Sequence, residues 1–429
     1  MNEPLDQKIR HRNAVARAHV QVSRGQTSML MVKEAPAYSG RASEIFPIAL
    51  TNLILTFLTV GIYRFWAKTR IRRYFISRVS FLGDPLEYSG TGMELFIGFL
   101  IVLAVLVPLF IVTGILRYFL ERPGAETTTV AIFQAGYFLA LYFLYHVAVY
   151  RAQRYRLSRT SWRGIRGGQV GSAMLYAICA IGLGVLTVAT VGLAYPVMRR
   201  FLVRYRINHL AFGTETLQLE CGVGRLLAGW MVPWLFFAAI LGYVGYSLAQ
   251  KDWSVIKNTA PDMVGAVFIS MFTAKVVIAM AILPFGFLLL IWYRVFEIRQ
   301  WINHSRFGEL AFASRLRALQ VMFPYLAYWF LATVASGLVI AGSILLMRKL
   351  GGADFLFRFG AFSGLYFVAV FWVIAGILRP MILTDWLIDV FCRTLTIQGR
   401  FSPDTLFQNQ LAIPRSGEGL ADAFDVDAF

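Results

Sequence analysis

The sequence predicts an all-α polytopic membrane protein: about six transmembrane helices plus two re-entrant helical hairpins, internally repeated, with short cytoplasmic β-hairpins. Eight full spans are the alternative. Three observations lead there. The 429 residues are 58% hydrophobic and 15% charged, with a mean hydropathy of +0.62, too apolar for a soluble globule. Apolar segments recur at about 45–66, 94–116, 130–150, 170–195, 226–249, 268–293, 321–346 and 361–383. Several reach the roughly 18–20 residues that cross a bilayer core. The net charge of +18 sits in short blocks abutting these segments. That is the pattern of cytoplasmic loops and not of a nucleic-acid-binding domain.

Residues 1–44 are polar and basic (Lys8, Arg10, Arg12, Arg17, Arg24) and read as a disordered arm without a secretory h-region. The first apolar segment is then expected to act as an uncleaved insertion signal. Cys179, Cys221 and Cys392 are widely spaced and odd in number, which implies neither a disulfide framework nor a metal site.

Sidedness separates six spans from eight. With strict alternation of eight spans, the connections carry 16 Lys and Arg on one side and 12 on the other. If 45–66 and 170–195 enter the membrane and return, the count becomes 21 inside and 7 outside, as the positive-inside rule prefers. Pro47 and Asn52 interrupt the first of these segments, and Gly182 and Gly184 the second, as in broken or re-entrant helices.

The chain also matches itself at an offset of 131 residues. Leu55-Thr56 falls on Leu186-Thr187, Thr59-Val60-Gly61 on Thr190-Val191-Gly192, and Arg73-Tyr74 on Arg204-Tyr205. Ile76, Phe81 and Gly98 fall on Ile207, Phe212 and Gly229. A joint recurs more often: "RYFISRVSFLG" (Arg73–Gly83), "RYRLSRTSWRG" (Arg154–Gly164), "INHLAFG" (Ile207–Gly213), "INHSRFG" (Ile302–Gly308) and a degenerate "CRTLTIQG" (Cys392–Gly399). Each follows a basic amphipathic helix and leads into a short alternating stretch such as "PLEYSG" (Pro85–Gly90) or "TLQLEC" (Thr216–Cys221), a hairpin signal. The units expected are 1–44, a polar basic region; 45–169 and 170–319, two membrane repeats; 320–401, a partial third; and 402–429, an acidic disordered tail.

"TVGIYRFWAKTRIRRYF" (Thr59–Phe75) and "GDPLEYSGTGMELFIGFL" (Gly83–Leu100) resemble the YjgN family of bacterial inner-membrane proteins. The second copy departs from that pattern, reading "TVGLAYPVMRRFLVRY" without the Phe-Trp-Ala-Lys core. The resemblance implies a multi-pass protein of the inner membrane, but no reaction or ligand.

Candidate residues fall in two groups. At the membrane interface, Arg70, Arg72, Arg73, Tyr74, Arg154, Tyr155, Arg204, Tyr205 and Arg299 are expected to meet anionic lipid headgroups. Trp66, Tyr88, Trp162 and Trp301 extend this as an aromatic belt. Within the membrane, Pro47, Asn52, His146, Gly182, Gly184 and Lys275 are the positions where irregular backbone or an ionisable group is costly enough to indicate function. His209 and His304 lack ligand-spaced partners, and Arg78 and Arg159 occupy the equivalent positions, so packing or hydrogen bonding is expected of them in place of a metal. "GTG" at Gly90–Gly92 lacks a P-loop lysine and reads as headgroup contact. No catalytic motif or paired carboxylate is present, so an enzyme and a cofactor are not expected. Two functions remain: a transporter or channel for a small solute, or a scaffold that organises anionic lipid. In both, the N-terminus and the basic loops are cytoplasmic.

Overall fold

A computed structural model describes residues 30–120, 127–250, 274–401, 406–408 and 411. Strands β1 (Leu30–Glu34) and β2 (Ala37–Tyr38) open the fold, inside the region expected to be a disordered arm. Then come α1 (Ala42–Leu58), α2 (Arg64–Ser77), β3 (Val79–Phe81), β4 (Asp84–Tyr88), α3 (Gly92–Leu120), α4 (Thr127–Arg159), β5 (Thr160–Trp162) and β6 (Ile165–Gln169). They are followed by α5 (Ala173–Ala189), α6 (Tyr195–Asn208), β7 (Leu210–Phe212), β8 (Glu215–Leu219), α7 (Val223–Ala249), α8 (Ala274–Asn303), β9 (Ser305–Phe307) and β10 (Leu310–Ser314). Helix α9 (Ala318–Leu378), a π-helical turn (Arg379–Thr384), α10 (Asp385–Thr394) and β11 (Leu395–Phe401) complete the order.

The molecule is not all-α. The hairpins predicted from the alternating stretches are present, and they join edge to edge into one antiparallel sheet of order β1-β11-β10-β9-β8-β7-β6-β5-β4-β3-β2. The two end strands of that order are consecutive in the chain, separated only by Ala35 and Pro36. Leu30–Glu34 pairs with β11 and Ala37–Tyr38 pairs with β3, so one bent strand closes the sheet into a barrel. Proline at the bend removes a donor just where the strand changes partner. Closure shows in the interior: the rings of Phe81 on β3 and Phe401 on β11 lie 6.5 Å apart although they are near opposite ends of the strand order.

That interior is a single apolar core. Trp162, Phe307 and Ile397 are buried in it, with Phe81 and Phe212 packed against them. These five residues come from the five joints, so the aromatic or aliphatic position of the recurring phrase exists to fill the barrel. Trp162 therefore sits in the core and not in an aromatic belt. Leu406, only 8% exposed, joins the same core, and the Gln408 side chain accepts a hydrogen bond from the Arg166 backbone N–H at 2.8 Å. Residues 406–408, placed by the sequence in a disordered tail, thus lie against the barrel; the rest of that tail, apart from 411, falls outside the described residues. Gly399 is needed for closure. Its φ of +142° is glycine territory, and a Cβ there would lie 2.2 Å from the Glu309 carbonyl oxygen.

Helical pairs run from strand to strand around the barrel: α1/α2, α3/α4, α5/α6, α7/α8, and α9 with α10. Each pair leaves and returns at the same rim, because the strands it joins are antiparallel neighbours, as with Tyr88↔Thr160. Helix α9 is itself doubled back. The Tyr328 hydroxyl donates to the Ala375 carbonyl at 3.3 Å, whereas 47 residues of straight helix would span about 70 Å. Six helical segments are long and apolar enough to cross a membrane: Gly92–Phe119, Thr128–Arg159, Val223–Ser247, Ala281–Asn303, Ala318–Leu346 and Val368–Thr394. Ala42–Leu58 and Ala173–Ala189 are shorter apolar helices.

Those two short helices are the first arms of matching hairpins, and the basic helices α2 and α6, expected at the interface, are their return arms. Every boundary recurs 131 residues on: 42 to 173, 58 to 189, 64 to 195, 77 to 208, 79 to 210, 84 to 215 and 92 to 223. The tips match atom for atom. Gly61 N–H reaches Thr56 O at 2.7 Å and Gly192 N–H reaches Thr187 O at 2.7 Å, the long-range bond of a Schellman cap. Val60 and Val191 both take the left-handed position at φ +51°, an uncommon conformation for a β-branched residue.

Candidate functional site: the junction between helices and barrel

The recurring histidine phrase is a joint. His209 and His304 each follow the last residue of a helix, and each Nδ1 lies 2.7 Å from the carbonyl four residues back, Tyr205 O and Gln300 O. A carbonyl only accepts, so Nδ1 carries the proton and satisfies a carbonyl that the helix end leaves open. The preceding asparagines stitch helix to hairpin. Asn208 Oδ1 accepts from Leu219 N–H at 2.8 Å, and Asn303 Oδ1 from Ser314 N–H at 2.7 Å. At the two joints with arginine, carboxylates complete the site: Arg78 meets Glu44 at 2.6 Å and Arg159 meets Glu94 at 2.7 Å. Among the described residues no group of three side chains is arranged to hold a metal ion.

The interfacial candidates divide into holders and outward charges. Tyr74 clasps the entry to the first hairpin, accepting from Arg41 N–H at 2.9 Å and reaching Arg41 O at 3.2 Å. Tyr205 does the same at the second, with Ser172 N–H at 3.0 Å and Ser172 O at 3.1 Å. Arg72 donates to the Tyr88 hydroxyl at 3.1 Å, Tyr155 to Glu94 at 2.6 Å, and Arg154 to the Gly171 carbonyl. Each of these residues, expected to face headgroups, makes at least one hydrogen bond inside the protein, because helix feet leave polar backbone that needs partners. Arg73 is exposed and also donates to Gly90 O at 3.1 Å. Arg70 and Arg204 are exposed, and Arg299 lies over the Phe296 ring at 6.0 Å.

"GTG" is a packing device. A Cβ on Gly90 would fall 2.5 Å from the Tyr88 hydroxyl, and one on Gly92 2.6 Å from Trp66. Aromatic rings cover this backbone, so it is not open to a phosphate.

The intramembrane candidates are not brought together. Asn52, buried, donates to Ala67 O at 3.2 Å and ties the arms of the first hairpin. Pro47 lies within α1, and its carbonyl accepts from Thr51 Oγ1 at 2.7 Å. The first hairpin packs on α9 and the π-turn, the second on α4. Gly184 lets that second packing close up, since a Cβ there would lie 3.0 Å from the Tyr142 hydroxyl; Gly182 faces open space. His146 sits among Tyr142, Tyr145 and Tyr176 with ring centroids 4.5, 5.1 and 5.7 Å away. Lys275 is in the first turn of α8, with its side chain outside the described residues.

Two features escaped the sequence reading. Glu297 on α8 is 0% exposed, and its carboxylate lies between Arg294 at 2.8 Å and Arg199 of α6 at 3.4 Å. Arg294-x-x-Glu297 is an i,i+3 pair and was visible; its partner 98 residues upstream was not. The second is an open pocket of about 490 Å³ beside the π-turn, lined by Tyr38, Asp385, Trp386 and Asp389 among others. Tyr38 hydrogen-bonds Asp385, and burial together with that carboxylate pushes its phenol well above the ordinary value.

Six apolar helices on a polar junction with a surplus of arginine define a multi-pass membrane protein. The chain belongs to the family described as "Bacterial protein of unknown function (DUF898)", which matches residues 33–423. It is similar to inner membrane protein YjgN of Salmonella typhimurium (strain LT2), 38% identical over 65 residues, 15% of this chain. That alignment covers 16% of the relative's own length. No solved structure matches the chain.

Proposed function

We propose that this protein is a non-transporting membrane scaffold that organises anionic lipid in the cytoplasmic leaflet, built from a duplicated unit. Six helices cross, and the hairpins α1/α2 and α5/α6 re-enter from the barrel side. The single rim supports the topology, since every helical pair starts and ends on one face of one closed barrel. The observation that carries the lipid reading is the exposure of Arg70, Arg73 and Arg204 on the helices at that rim. A barrel on one side of a bilayer allows only an even number of crossings between neighbouring strands. Arms of 17 residues, as in α1 and α5, fall short of the usual span of about 20. The positive-inside count agrees. Arg70 and Arg204 then face the headgroup layer, each contributing about 1 kcal/mol on an anionic surface.

Topology is tested with single cysteines at Val60, Val191 and Arg163 in spheroplasts. Labelling of Arg163→Cys only from the cytoplasm, with neither tip reached from the periplasm, is expected; periplasmic labelling of Val191→Cys sinks the re-entrant reading. Lipid organisation is tested by flotation with vesicles of phosphatidylglycerol against phosphatidylcholine. The Arg70→Gln/Arg204→Gln pair is expected to lose most of the preference for the anionic vesicles.

Transport is the second reading, favoured by the open pocket at the π-turn, since π-helical distortions often accompany functional sites. Solute flux in proteoliposomes that stops on Asp385→Asn would establish it over the first.

A further inference from the structure

Helix α6 packs against α4, where the Tyr150 and Tyr205 rings lie 5.7 Å apart, and against α8, where Arg199 meets Glu297. Several buried polar atoms on these three helices are short of acceptors. Arg199 holds Glu297 at 3.4 Å and lies over the Trp301 ring at 5.1 Å. His146 on α4, 9% exposed, has Arg206 and Arg199 as its charged neighbours, and its Nδ1 has no hydrogen-bond partner. Tyr293 on α8, fully buried, lies in the field of Glu297, Arg199 and Arg294, and its hydroxyl is likewise unpartnered. Trp301 Nε1 and Arg206 Nε are buried without partners too. An indole N–H, a guanidinium N–H and a phenol are donors, and a buried donor left open costs about 1–3 kcal/mol. Against three arginines the only carboxylate described as meeting them is Glu297, whose two oxygens are already committed to Arg199 and Arg294.

We propose that Arg199, Arg206, His146, Tyr293 and Trp301 form a binding site for a phosphate-type oxyanion between α4, α6 and α8. Such a group supplies several acceptor oxygens and offsets the net positive charge, which is what this cluster lacks. Glu297 keeps the site assembled when it is empty. Its 3.4 Å contact to Arg199 is the looser of its two, so an entering oxyanion takes over Arg199 while Arg294 retains the carboxylate at 2.8 Å. The first hairpin has no counterpart: Lys68 stands at the position of Arg199 and Phe75 at that of Arg206. The inference rests on the lipid-organising reading only for the leaflet the site faces. The oxyanion is either the headgroup of an anionic lipid or free phosphate.

The test uses the full chain purified in a neutral detergent, with thermal unfolding and native mass spectrometry as readouts. The probes are phosphatidylglycerol, phosphatidylcholine and inorganic phosphate. Saturable stabilisation by phosphatidylglycerol or by inorganic phosphate is expected, with affinity about tenfold weaker in Arg206→Gln and retained in Arg206→Lys. Arg206 is chosen because Arg199→Gln would also unpair Glu297. Stabilisation by phosphatidylglycerol alone assigns the site to a headgroup, and stabilisation by both assigns it to the oxyanion itself. Equal stabilisation by phosphatidylcholine, no stabilisation by any probe, or Arg206→Gln binding as the parent does, overturns the proposal. If Arg206→Gln is unaffected while Arg70→Gln/Arg204→Gln loses vesicle preference, this site falls and the scaffold reading stands. The reverse pattern keeps the site and removes the belt.

Discussion

The first and second short hairpins share a backbone and differ in what surrounds it. Both have 17-residue first arms, a Thr-Val-Gly tip with valine at φ +51°, and a tyrosine clasping its own entry. In the first hairpin an acid holds the foot, Glu44 on Arg78, and in the helical pair that follows Glu94 of α3 holds Arg159 at the end of α4. At the matching positions the second carries Leu175 and Arg225, and its joint ends in His209. Its restraint comes from elsewhere: Trp230 and Trp234 on α7 donate to Gly192 O and Val191 O, each at 2.9 Å, and Glu297 reaches Arg199. Where the second tip has two indoles above it, the first has Phe99 and Leu103 at the matching positions, and Val60 is 91% exposed. Backbone hydrogen bonds fix the shape of the unit, while side-chain charge is free to vary around it. That freedom leaves the second hairpin with four arginines and no acid of its own, so its Arg199 depends on Glu297 from α8.

Several measurements would break or sharpen this comparison. The largest effect belongs to Glu297→Ala, which leaves two arginines facing each other without their carboxylate. A loss of about 3 kcal/mol is expected, read as a lowered midpoint of thermal unfolding in detergent. Glu44→Ala, in an exposed pair, should cost under about 1 kcal/mol, and equal losses at the two sites would erase the distinction drawn here. Next come the clasps. Tyr74→Phe and Tyr205→Phe should each lower stability by about 1 kcal/mol, with the larger loss at Tyr74, because both remove the same pair of backbone contacts and Tyr74 also gives up Glu44 at 3.1 Å. Replacing Trp230 and Trp234 together by Phe should raise hydrogen exchange at 190–194 towards the rate at 59–63, with little change at the feet. Smallest is the relief of the tips: Val60→Gly and Val191→Gly should each be neutral to stabilising, by up to about 1 kcal/mol, since glycine removes the left-handed penalty but costs chain entropy.

The parts legible in the sequence were those written locally. Apolar runs of spanning length, the blocks of arginine at their ends and the hairpin stretches at Pro85–Gly90 and Thr216–Cys221 correspond to elements of the fold. The 131-residue offset read from a few identities reappears at each element boundary from 42 to 92. Less legible was which way each polar side chain turns. Tyr155 and Arg72 look like interfacial residues until Glu94 and Tyr88 are seen beside them. Leu30–Glu34 was unreadable as a strand because its partner, β11, lies some 370 residues away in the chain.

The sequence by itself determined that the chain crosses a membrane, how its charge is distributed along it, and where helices end in recurring joints. These depend on hydrophobicity and on contacts within a turn or two of helix, which residue order encodes directly. Only the tertiary structure decided that five joints form one barrel, that Phe81 and Phe401 meet, and that Arg199 finds Glu297. Strands of three to five residues carry too little pattern to name their partners. A buried charge shows what it is for only when the helix opposite it is in place.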